Sequence, residues 1–89
     1  MGTRQVRRSR LRELKDCKVP FRLRVKLAKS YSRGDSDVAS LMSYGFVCNN
    51  SLPELADNDT LYAWEKDNLR IYTEHGKITK PSVRLDKAE

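Results

Sequence analysis

The residues of this chain grouped in a way that could do chemistry are its cations, and the chemistry is phosphate binding. Arg4, Arg7, Arg8, Arg10 and Arg12 stand close together, and Arg22, Arg24, Lys26 and Lys29 follow within the same third of the chain. Each cation set against a phosphate releases condensed counterions, and a guanidinium adds paired hydrogen bonds to the phosphate oxygens. Other chemistries lack their parts. One histidine, His75, and two cysteines, Cys17 and Cys48, give at most three soft ligands, without the short paired spacings of a structural zinc site. A Cys–His nucleophilic pair would need the fold to carry Cys17 or Cys48 to His75, which sits on an expected hairpin tip. Gly34, Gly45 and Gly76 are too far apart for a glycine-rich phosphate loop or a GxxG clamp. No catalytic residue, no metal ligand and no cofactor is expected.

The charge is unevenly distributed. Residues 1–34 hold twelve Lys or Arg against two acids, and residues 35–89 hold six against ten, so the formal net charge of +6 conceals a strongly basic start and a mildly acidic remainder. From Asp35 to Glu65 there are six acids and no Lys or Arg, so this stretch should repel phosphates and lie away from a polyanion-binding face. The 89 residues are 38% hydrophobic and 34% charged, a composition for one small domain with a modest core. No apolar run approaches the length of a membrane span, and no signal-type h-region is visible. An intracellular, cytoplasmic or nuclear, setting without membrane association is expected, with both cysteines as free thiols.

Positioning these cations falls to the local pattern. Residues 3–16, TRQVRRSRLRELKD, are rich in helix formers but carry only Val6, Leu11 and Leu14 as apolar residues, too thin a stripe for a helix without a partner. In composition the segment resembles the arginine-rich motifs of RNA-binding peptides, through Arg4, Arg7, Arg8, Arg10 and Arg12. From Val19 the pattern changes to a period of two: Val19, Phe21, Leu23, Val25 and Leu27 alternate with Arg22, Arg24 and Lys26. This alternation predicts a half-buried strand with a cationic outer side. A helix over the same residues would align Phe21, Val25 and Ala28 and turn Leu23 and Leu27 toward the cations. The strand's charges have two uses, binding a polyanion or protecting a sheet edge.

SYSRGDSD, residues 30–37, reads as a turn whose Asp35 or Ser36 caps a helix over roughly Asp37 to Tyr44, with Gly45 as its left-handed C-terminal cap and Phe46 folding back. A helix-turn-helix there is disfavoured, because Ala39 and Gly45 are wrongly spaced and Pro53 falls within the second helix. LYAWE, LRIYTE and the EHGK turn at residues 74–77 predict a meander, with Pro81 before a short edge strand at SVRL. A helix over TLYAWEKDN is the competing reading. Tyr31, flanked by Lys29 and Arg33, is the aromatic best placed to stack on a base.

The expected molecule is a small single α+β domain of one strand, one helix and a three-stranded antiparallel meander over residues 18–89, preceded by a basic, flexible or helical N-terminal segment, residues 1–17. Its expected core is Phe21, Leu23, Val25, Leu27, Val38, Leu41, Met42, Phe46, Leu61, Trp64, Leu69 and Ile71. The expected function is non-enzymatic nucleic-acid binding, RNA favoured over DNA, through Arg4, Arg7, Arg8, Arg10, Arg12, Arg22, Arg24, Lys26, Lys29 and Tyr31. The alternative is a small protein–protein interaction module, an adaptor, inhibitor or effector, whose partner binds an edge strand or the acidic segment 35–65.

Overall fold

Leu, Arg, Lys and Ala are strong helix formers, and they dominate the sequence that follows Pro20. In the computed structural model, which describes residues 3–55 and 59–85, that stretch is a helix. The elements in chain order are α1 (Thr3–Asp16), α2 (Phe21–Ser32), α3 (Asp37–Ser43), β1 (Val47–Cys48), a 3₁₀ turn (Pro53–Leu55), β2 (Leu61–Lys66), β3 (Leu69–Glu74) and β4 (Val83–Arg84). The strands form one antiparallel sheet in the order β1-β2-β3-β4. This is a small α+β fold with three helices and a four-stranded sheet.

The strand expected over residues 19–28 is therefore corrected to helix α2. Its alternation arises because Leu23 and Leu27, four apart, share the inward side with Ser30 and Tyr31, while Phe21 is 67% exposed. Pro20 occupies the N-cap with φ −57 and ψ 149, a position where its missing N–H removes no helical bond. The arginine-rich start is helical as well, and it is not separate from the rest. Leu14 of α1 and the adjoining Cys17 belong to the same core cluster as Leu27, Leu41, Trp64 and Ile71. The partner that α1 needs is α2, reached through a turn in which Lys18 takes φ 60 and the Val19 N–H returns to the Leu14 carbonyl at 3.1 Å.

Helix α3 begins and ends as its sequence signals. The Ser36 hydroxyl accepts the Ala39 N–H at 3.0 Å, and the Phe46 N–H closes on the Leu41 carbonyl at 2.9 Å around Gly45, whose φ is +94. Phe46 is buried by this reversal. Met42, expected in the core, is 59% exposed instead, since the short helix turns Leu41 inward and Met42 away. A Cβ on Gly45 would make only ordinary contact, 3.5 Å from the Lys66 ammonium, so the cost of replacing it is set by the backbone. Gly45→Ala is expected to lower stability by about 1–2 kcal/mol, read as a fall in Tm of about 4–8 °C per kcal/mol. An unchanged Tm would mean that the turn opens without cost.

Residues 60–68 carry strand and turn, not helix. β2 and β3 join through Asp67 and Asn68 and keep full register, with Trp64 opposite Ile71 and Lys66 opposite Leu69. Tyr62, Trp64 and Lys66 share one face with Leu69, Ile71 and Thr73, and this face meets the helices. Trp64 donates its indole N–H to the Thr73 hydroxyl at 2.9 Å across it, so the buried ring has no unpaired polar atom. β3 ends in a two-residue turn at His75 and Gly76, both at positive φ, and β4 pairs Arg84 with Leu69. After α3 the chain runs into β1 and a 3₁₀ turn, so among the described residues no second α-helix follows to complete a helix-turn-helix.

Candidate functional site

The sequence-derived cations separate into buried and exposed groups. Arg10 is 1% exposed and Asp37 2%. The Arg10 guanidinium pairs with the Asp37 carboxylate, with Glu13 at 2.6 Å and with the Ile78 carbonyl at 3.3 Å. The same Asp37 oxygen accepts the Ile78 N–H at 2.8 Å. Arg10 thus ties α1 to the start of α3 and to the chain beyond β3. Its assignment as a mobile phosphate contact is corrected to a structural ion pair. Arg7 is half-buried, with its Nε enclosed and unpartnered. Tyr31 is corrected too: it is half-buried, and both the Arg10 guanidinium, at 4.9 Å, and the Lys77 ammonium, at 5.6 Å, lie over its ring.

Two rows of exposed cations remain. On α1, Arg8, Arg12 and Lys15 recur at i, i+4 and i+7 and are all exposed. Arg4 heads that row in the first turn, and its side chain lies outside the described residues. On α2, Arg22, Lys26 and Lys29 have the same spacing and exposure. Arg24 leaves the row, because two helical steps from Arg22 carry it to the opposite side of the cylinder. Its Nε donates to the Val19 carbonyl at 3.3 Å.

The α2 row borders a groove of about 970 Å³. Its walls are the first half of α2, the turn after α3 and the β2–β3 hairpin end, with Leu23, Phe46 and Leu69 as apolar lining. Arg22 and Lys26 from α2, Lys66 from β2 and Arg84 from β4 enter it from three separate elements, against one acid, Asp67. Among the described residues, none of these four cations is in an ion pair with a carboxylate. The first turn of α2 holds no acid, and its N-cap makes no side-chain hydrogen bond, so the positive end of the helix adds to the same potential.

Tyr44 sets the positions of two of these charges. Its ring lies 5.6 Å from the Lys26 ammonium, its hydroxyl donates to the Lys26 carbonyl at 3.2 Å and lies 2.8 Å from the Ser30 hydroxyl. Its own carbonyl accepts the Lys66 ammonium at 2.7 Å. That carbonyl lies at the C-terminal end of α3, where a cation is favoured. The Lys66 ammonium spends one of its three donors in this way and the Lys26 ammonium lies against a ring face, and an anion in the groove would meet the remaining donors.

Lys66, Arg84, Lys15 and Tyr44 were absent from the sequence-derived set. The readable signal was at Lys66, which follows Tyr62 and Trp64 on the inward face of β2 and so places a cation where the core ends. Arg84 gave none, since its role depends on β4 pairing. The acidic stretch 35–65 does reach the groove, through Ser43 to Phe46, but without its acids. Asp37 is buried, Asp35 lies 3.7 Å from Arg33, and Glu65 accepts Arg70 at 2.7 Å on the opposite face of the sheet. Hydrogen bonds to Glu65 and then Tyr72 raise the Arg70 guanidinium above its ordinary value, so its charge is fixed and spent locally.

The cysteines are free thiols. Burial pushes Cys17 above its ordinary range, against the opposing pull of Arg10, and burial raises Cys48 too. Both are protonated at neutral pH, the less nucleophilic form. His75 is exposed on its turn. Among the described residues no group of three or more His, Cys, Asp or Glu could hold a metal ion, and no helix is long and apolar enough to cross a membrane. The geometry thus offers an anion-binding groove as the candidate site. No family model matches the chain, and no curated protein or solved structure does either.

Proposed function

We propose that the protein is a non-enzymatic, intracellular nucleic-acid-binding protein that takes the phosphate backbone of RNA into the groove between α2 and the end of the β2–β3 hairpin. The observation that carries this reading is the convergence of Arg22, Lys26, Lys66 and Arg84 from three elements, α2, β2 and β4, on one groove, with no carboxylate paired to any of them among the described residues. Cations brought together from distant parts of a chain repel one another, and an arrangement of this kind is relieved by a polyanion. RNA is favoured over duplex DNA because the cations line a concave recess with apolar residues in its walls, whereas a major groove admits a projecting helix or β-ribbon.

The test is binding of a fluorescein-labelled single-stranded RNA across a salt series. Four phosphate contacts on a single strand correspond to a slope of about −3 in log affinity against log salt concentration, at roughly 0.7 per contact. A flat salt dependence, or no binding at low salt, overturns the proposal. One observation favours a second reading. Val47, 69% exposed on the two-residue edge strand β1, offers a sheet edge to which a protein partner could add a strand. That interface would be insensitive to salt.

A further inference from the structure

We infer that Phe21 is a stacking platform for an unpaired base, so that the ligand of the groove is single-stranded; this rests on the groove being a nucleic-acid interface. Phe21 is 67% exposed and takes no part in the core cluster. It stands between Pro20 and Arg22, both of which line the groove, but is itself turned out to the rim. Arg24, whose Nε is anchored on the Val19 carbonyl, sets its guanidinium 5.5 Å from the ring centroid. The phenyl group is therefore oriented by a fixed cation and still largely open to solvent.

The surroundings define the occupant. Val25 and Lys29 follow Phe21 along the same side of α2, with Arg22 beside it. An apolar protein surface placed over Phe21 would strip water from these cations without replacing it. A nucleotide satisfies both needs, since its phosphates meet the cations and its base meets the ring. In a duplex both faces of each base are covered by neighbours, so only an unpaired base offers a free face to a side chain. The proposal thus assigns the fixed charges of the groove to the backbone and Phe21 to the first base beyond its mouth.

Phe21→Leu keeps an apolar, helix-compatible side chain but removes the π face, and Phe21→Trp enlarges it. Three probes are compared by fluorescence anisotropy or competition: a labelled single-stranded RNA, the same strand annealed to its complement, and inorganic polyphosphate. The expected result is that Phe21→Leu weakens single-strand binding by about fivefold or more, leaves polyphosphate and duplex binding unchanged, and that Phe21→Trp restores or tightens it. Equal losses for strand and polyphosphate overturn the inference, as does an unchanged affinity for all three. Charge reversal of Arg22 and Lys26 is run in parallel. Loss of binding there with Phe21→Leu unaffected rejects the stacking role alone, whereas no binding of RNA by the unaltered protein rejects the groove with it.

Discussion

Asp37→Ala is expected to destabilise the protein by about 3–5 kcal/mol, the range for leaving one partner of a buried ion pair uncompensated. Against a total of about 5–15 kcal/mol for a domain, this removes most of the margin in a chain of 89 residues. Arg10 would remain, 1% exposed, with Glu13 at 2.6 Å as its remaining carboxylate, and the Ile78 N–H would lose its acceptor. The measurement is urea unfolding, with an expected fall in midpoint of about 2 M at ordinary slopes. Asp37→Asn keeps an acceptor for the Ile78 N–H and should cost less. Combining Asp37→Ala with Arg10→Met removes the stranded guanidinium, so the double variant should be more stable than the sum of the single losses predicts. Additive losses would show that Arg10 and Asp37 stabilise the fold independently, and the pair would cease to explain how α1 is held.

This pair marks a boundary of what the sequence disclosed. Arg10 looks the same as Arg8 and Arg12 in a string of letters, and only the pitch of α1 turns it toward Asp37 while the other two stay in water. The elements signalled by local chemistry were readable: the Ser36 cap, the Gly45 reversal, the β2 and β3 strands and the turn at Gly76 depend on neighbours a few residues away. The period-two alternation of α2 satisfies a strand locally, and docking against α1 and the sheet makes it a helix. Two of its expected cations, Arg22 and Lys26, are brought to the groove. Arg24 is not, since a strand would align it with them and a helix separates it. Lys66 and Arg84 join them only through β-pairing and the end of α3. The site is a tertiary object whose cations come from α2, β2 and β4, and the α2 cations and Lys66 are its locally legible parts.

That assembly makes the second large effect a test of geometry as well as charge. If RNA occupies the groove, reversing Arg22 and Lys26 together to glutamate is expected to weaken single-strand binding by ~25-fold or more near 0.1 M salt, since each lost contact removes about fivefold there. The added repulsion of two new carboxylates deepens the loss. Lys66→Glu with Arg84→Glu should cost a similar factor, although both lie far along the sequence from the basic third, and each lost contact should flatten the salt dependence by roughly 0.7. Lys80→Glu, exposed and outside the groove, makes half the net-charge change of either double reversal and should leave affinity nearly unchanged at physiological salt, where distant charges are screened. A polyanion held merely by net charge would respond to each of these reversals in proportion to the charge it changes. Binding that survives at Lys66 and Arg84 but disappears on reversing Arg8 and Arg12 would place the ligand on the α1 row, and the convergence of cations from three elements would lose its functional meaning.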